Sequence, residues 1–189
     1  TVYYVKLRTP GWIDKPLSRQ ENQSFSETPM LTLGTPAPRF DCRAVVDHEV
    51  VELIWNQVHA RRTLVLQFDS IENYTDFPDD LVALSNSVGD FERLQAKVVV
   101  AAETSFETLE WANRSADEGG PGEIAFPIIV DSDDQIASMY DMLNADGCSL
   151  WGHIIIDPAG RVQQIAMSIF HSSPNVDELI RCVTSISNE

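Results

Sequence analysis

The stretch FDSIENYTDFPDDLVALS, Phe68–Ser85, changes character twice. The β-branched and apolar run RTLVLQF (62–68) leads into it, as a buried central strand does. A polar loop follows. From Pro78 apolar residues return at helical spacing, as Leu81, Leu84, Val88 and Phe91. Proline suits a first helical position because its missing N–H has no partner there in any case. Asp79 and Asp80 then favour the positive end of the helix dipole. The expectation is a strand, a loop and a helix from Pro78 to about Leu94.

Outward from this unit the same alternation continues. Upstream, FDCRAVVDHEVVELIW reads as two strands around Asp47-His48, a hairpin signal. Downstream, AKVVVAAE (96–103) is a second buried strand, and SFETLEWANRSADE (105–118) is a helix with Ser105 as N-cap. FPIIVD (126–131) is a short strand and DQIASMYDML (134–143) a short helix. HIIIDPAGRVQQIAMSI (153–169) is strand, turn and strand, and SPNVDELIRCVTSI (173–186) closes as an amphipathic helix. Strands alternating with helices and ending in a hairpin predict an α/β sandwich with a central mixed sheet, thioredoxin-like in its order. Residues 1–31, rich in Pro, Ser, Gln and Asn, keep no sustained period and read as an extended arm. Tyr3, Tyr4 and Trp12 point to docking of that arm on the domain or on a partner. Residues 32–189 form the domain.

Composition narrows the function. The 189 residues carry 29 acids against 13 bases, a formal net charge of −16. Such a surface repels phosphate backbones and anionic lipid, so nucleic acid and membrane surfaces are poor partners. No apolar run approaches the ~20 residues of a membrane-spanning helix. The three cysteines, Cys42, Cys148 and Cys182, fit neither a C-x-x-C pair nor a zinc site, and so sparse a count suits a reducing compartment. Cys148 lies in a polar loop with no Lys or Arg near it in sequence. Cys182 shares the apolar stripe of the last helix, and Cys42 sits in the first strand. His48, His59, His153 and His171 are dispersed, and His153 reads as a strand residue with a satisfied partner rather than a ligand. The acid clusters Asp76, Asp79, Asp80 and Asp131, Asp133, Asp134 lack calcium-loop spacing and suit helix starts and turns. DEGGPG does not open a helix after a strand, so it is no phosphate loop. The N-x-[ST] triplets at Asn22, Asn73 and Asn113 read as chance features of polar sequence. No cofactor and no metal is expected.

Several segments go further. GTPAPRFDCRAVV resembles the opening of typical two-cysteine peroxiredoxins. In FETLEWANRSADEGGPGEIAFPIIVD, the residues Trp111, Asn113, Glu118, Gly119, Gly120, Gly122 and Pro127 stand as they do in that family. IASMYDML and WGHIIIDPAGRVQQIAMSIFHSSPNVDELIRCV are similar to its later helix, final hairpin and closing helix. The resemblance spans about residues 32–187.

It implies a peroxidatic cysteine at the start of the helix after the central strand, with a threonine three residues earlier and a distant arginine. Thiolate chemistry explains the set: a helix N-terminus and a cation lower the thiol pKa, and the cation stabilises charge as the peroxide bond breaks. Aligned on the proline without gaps, this sequence departs at each place. Phe77 stands at the cysteine, Tyr74 at the threonine and Trp151 at the arginine before Gly152. Pro174 stands at a second arginine of the family pocket, and Asp80 is a conservative counterpart of its glutamate. The resolving cysteine that such proteins carry in a C-terminal tail has no counterpart after the last helix.

The resemblance therefore implies a catalytically silent homologue acting as a structural or interaction subunit. It pairs with itself or a peroxiredoxin-like paralogue through the edge strand 161–169, and with a larger assembly through the arm. The altered Tyr74–Phe77 loop leaves ring formation, which borders that loop in the family, in doubt. The alternative is a redox protein using a non-family thiol such as Cys148; a third is a small-molecule sensor using the remodelled pocket. An organelle matrix, mitochondrial before cytoplasmic, is the expected compartment.

Overall fold

The computed structural model describes residues 30–46, 49–70, 77–103, 122, 124–170 and 174–187. Its strands are β1 (Asp41–Val46), β2 (Glu49–Ile54), β3 (Thr63–Ser70), β4 (Ala96–Glu103), β5 (Ile128–Val130), β6 (Trp151–Ile156) and β7 (Val162–Ser168). Its helices are α1 (Trp55–His59), α2 (Phe77–Asn86), α3 (Val88–Arg93), α4 (Gln135–Met139) and α5 (Val176–Ser187). Residues 1–29, the helix expected over 105–118 and the whole of residues 71–76 lie outside the described set.

The strands form one sheet in the order β2-β1-β5-β4-β3-β6-β7. β4 runs parallel to β3 and to β5, while the remaining neighbours are antiparallel, so the sheet is mixed as expected. Side chains alternate across a strand, so β3 divides its residues between two layers. Leu64, Leu66 and Phe68 join a core with Phe40, Trp55 and Tyr140 on one face. Val65 points the other way, into a core with Leu81, Leu84, Phe91, Leu179 and Val183 from α2, α3 and α5. Leu31, at the end of the arm in the sequence reading, is buried in the first of these cores.

The helix expected from Pro78 to Leu94 is two helices. Ser87 interrupts it: its hydroxyl donates to the Ala83 carbonyl at 3.2 Å, and its amide bonds the Leu84 carbonyl at 3.1 Å, tightening the turn. Back-bonding of a serine to residue i−4 bends helices, and Gly89 two residues on lowers helical propensity further. Leu81, Leu84 and Phe91 are buried as the periodicity demands. α5 matches its sequence pattern. Asn175 Oδ1 accepts the Glu178 amide at 3.1 Å as an N-cap, and Leu179 and Val183 bury one stripe.

β7 is an edge strand. At its start Val162 is already occupied on the outer side, where its carbonyl accepts the Gly34 amide at 2.7 Å and its amide donates to Thr35 at 3.0 Å. Arg161 Nη1 adds a bond to the Gly34 carbonyl. Inside, Gly152 on β6 lies so close to β7 that a Cβ there would fall 2.0 Å from the Ala166 carbonyl oxygen. Its φ of +147° also belongs to the range that favours glycine.

Candidate functional site

The end of β3 and the start of α2 define the region where the sequence places its altered pocket. Phe77 is the first residue of α2. Trp151 is the first residue of β6, paired opposite Ser168 and half-buried. Pro174 stands two residues before α5, also half-buried. Tyr74 falls outside the described residues. β6 lies beside β3, and α2 and α5 cover the same face of the sheet, so Phe77, Trp151 and Pro174 belong to elements that meet on one layer.

The floor of that layer is polar, which the sequence reading missed. Gln67 is 1% exposed and Asp69 is 5% exposed, yet both project to the same face as Val65. His153 is the partner of Gln67 across the β3–β6 ladder and faces the same way. The signal was present: Gln67 and Asp69 break an otherwise apolar run at alternate positions, so a strand must place both on one side.

Burial governs the electrostatics of this floor. Loss of solvent, then repulsion by Asp80 in the first turn of α2, push the Asp69 carboxyl up to about 8, against a lowering hydrogen bond from Gln67. The Asp69 side chain is therefore largely protonated at neutral pH. Burial holds His153 down to about 4, with Glu178 on α5 opposing. Two atoms of the floor, Gln67 Oε1 and His153 Nε2, are buried without a hydrogen-bond partner among the described residues. The expectation of a satisfied His153 is thus corrected at Nε2: the ring is half-buried opposite Gln67, and no group among the described residues pairs with that atom.

Two of the three cysteines lie elsewhere, while Cys182 packs against the same layer. Cys148 is exposed in a tight turn, where its amide donates to Asn144 Oδ1 at 3.0 Å and its carbonyl accepts the Asn144 amide. Cys182 on α5 is half-buried, with its sulfur 3.6 Å from Glu178 Oε1; burial and then the Glu178 charge raise its pKa. Cys42 on β1 is pushed up to about 11 by burial, then by Asp131 and Asp41. It lines an open groove of about 600 Å³ between β1, β2 and the β5–α4 turn, beside Arg39, Glu52 and Asp133. Thiols so shifted are poor nucleophiles.

The acid cluster after β5 has the helix-start role expected of it. Asp131 accepts the amides of Ile136 and Ala137 at 2.9 and 2.8 Å, and Asp134 accepts the Ser149 hydroxyl at 2.7 Å. His59 Nε2 is 2.8 Å from the Asp157 carbonyl, far along the sheet from His153. Among the described residues no group of three metal-ligating side chains converges. None of their helices is long and apolar enough to cross a membrane.

Residues 33–165 match the AhpC/TSA family. Peroxiredoxin prdx-2 of Caenorhabditis elegans is 32% identical over 153 residues, covering 80% of this chain and 76% of that protein. The mitochondrial thioredoxin-dependent peroxide reductase of Drosophila melanogaster is 31% identical over 150 residues, covering 78% of this chain and 64% of that protein. Among solved structures, the reduced 2-Cys peroxiredoxin of Plasmodium vivax superposes with a TM-score of 0.75 at 24% identity, covering 82% of each chain. At that identity the superposition speaks for the α/β thioredoxin-like fold alone.

Proposed function

The chain belongs to the AhpC/TSA family, and from that premise we propose that it keeps the frame of a thiol peroxidase without its reaction, serving as a structural or interaction subunit. The observation that carries this reading is the start of α2, where the first helical residue is Phe77. A nucleophile at that place gains from the helix dipole, and a phenyl ring has nothing to ionise. The cysteines the chain does have stand at 42, 148 and 182, on other elements, and two of them are pushed away from the thiolate form. Trp151 at the start of β6 offers no cation for a breaking peroxide bond. The decisive assay adds hydrogen peroxide, thioredoxin, thioredoxin reductase and NADPH to the purified chain. No NADPH consumption above background is expected; sustained turnover ends this reading.

Self-association is the retained role. The edge strand β7 has its first residues taken by the 34–36 segment, which leaves Gln163–Ser168 as the open template among the described residues. Met167, Ile169 and Phe170 are 41%, 55% and 74% exposed beside it. A second copy, or a peroxiredoxin-like paralogue, adds its own β7 there, with two-fold symmetry in the homodimer. The arm of residues 1–31 is the proposed contact with a larger assembly, and an organelle matrix the proposed compartment. Native mass spectrometry at micromolar concentration should show a dimer, and Met167→Glu with Ile169→Glu should shift it to monomer. An unchanged mass distribution rules out this edge.

One observation favours a second reading, a thiol redox protein: Cys148 is exposed. Fast oxidation of wild type by peroxide that Cys148→Ser abolishes would establish it in place of the first.

A further inference from the structure

Gln67 Oε1 and His153 Nε2 are both buried and both lack a partner among the described residues, and their residues sit directly opposite each other across the β3–β6 ladder. Opposite residues on one sheet face have Cβ atoms about 5 Å apart, which puts the two side chains within reach of a single bridging guest. A buried polar atom left unpaired is costly, and each one in a native interior calls for a partner such as a bound water or ligand. Native interiors answer such a demand with a bound water or ligand of two to four hydrogen bonds.

We infer that Gln67 and His153 together hold one small uncharged hydroxyl-bearing molecule, of the size and polarity of water, beneath α2. The chemistry of the pair sets its class. Gln67 Oε1 only accepts, so the guest must donate to it. The Gln67 side chain bonds Asp69, which ties the guest into a chain running from Asp69 through Gln67 to His153. A charged guest is disfavoured, because burial already keeps His153 neutral and Asp69 protonated. Glu178 on α5 is the charged group facing His153, and Asp80 on α2 the one facing Asp69. The inference stands whether or not the chain has lost peroxidase activity, since none of these groups is a thiol.

A high-resolution crystal structure of the full chain tests it. Density is expected within hydrogen-bond distance of both Gln67 Oε1 and His153 Nε2. A spherical peak identifies water, and an elongated one a two-heavy-atom hydroxylic guest. A direct Gln67–His153 hydrogen bond with no density between them overturns the inference. Gln67→Leu, His153→Leu and the double variant give an independent reading by melting temperature. Each single change should lower it by about 3–6 °C. The double should fall short of the sum by at least the smaller single effect, because both atoms that needed the guest are gone. The lost Gln67–Asp69 bond is common to the Gln67 single and the double and cancels in the cycle. Additive losses overturn the inference, and the wild-type crystal decides it should a variant fail to fold.

Discussion

The two faces of β3 obey different rules. On one, Leu64, Leu66 and Phe68 alternate into a core whose polar members are satisfied: Tyr140, for example, donates its hydroxyl to the Pro38 carbonyl at 2.6 Å. On the other, Val65 gives way to Gln67 and then Asp69, with His153 alongside, and two polar atoms find no partner among the described residues. The first face is occupied with stability. The second lies under α2, and it holds an acid raised by burial and a histidine lowered by it. Functional sites concentrate where local consistency fails.

Substitutions can break or sharpen this contrast. Gly152 shows how tightly the apolar side is built, since a Cβ there meets the Ala166 carbonyl at 2.0 Å from a positive φ. Gly152→Ala should cost about 3–5 kcal/mol, read by urea unfolding, or prevent soluble expression. Leu66→Ala, fully buried on the same face, should cost about 2–5 kcal/mol through the cavity it leaves. A loss below 1 kcal/mol would mean that this face is as adaptable as its counterpart.

The polar face should show itself in pH. Asp69 has a folded value of about 8 against an unfolded 3.8, so the fold binds the extra proton and loses stability as pH rises through that window. His153 runs oppositely: its folded value of about 4 against 6.5 removes stability as pH falls from 6.5 towards 4. The two slopes offset one another below 6.5, which leaves a net decline between 6.5 and 8 of up to about 1.4 kcal/mol per pH unit. Asp69→Asn should flatten that decline and make the variant the more stable at pH 8. Unfolding curves at pH 6.5 and 8 decide the matter, and an unchanged slope would move the titrating group elsewhere. The smallest effect belongs to neither face. Cys148→Ser, in an exposed turn, should change stability by less than about 0.5 kcal/mol in thermal melts.

Much of this was legible in the chain itself. Apolar runs and helical spacing located β3, β4, the β1–β2 hairpin, the β6–β7 hairpin and α5 to within a few residues, because each signal is a local periodicity set by backbone geometry. The break at Ser87 was hidden, since the apolar stripe from Leu81 to Phe91 continues across it while the backbone does not. Phe77, Trp151 and Pro174 were nameable from sequence as the places where the resemblance implies a departure, as was the absence of a cysteine between 42 and 148. The polar floor was not recognised. Gln67 and Asp69 were visible as interruptions, but their weight depends on His153, more than eighty positions away.

The sequence alone determined the alternation of strands and helices and the identity of the residue before Pro78, because both depend only on neighbours along the chain. Tertiary structure decided which residues share a face: that Gln67 meets His153, that Asp80 leans on Asp69, and that residues 34–36 occupy the start of the β7 edge. The physical reason is register. Side chains alternate from one face of a strand to the other, and only the pairing of strands distant in sequence fixes which of them meet in the low dielectric where an unpaired atom or a charge becomes expensive.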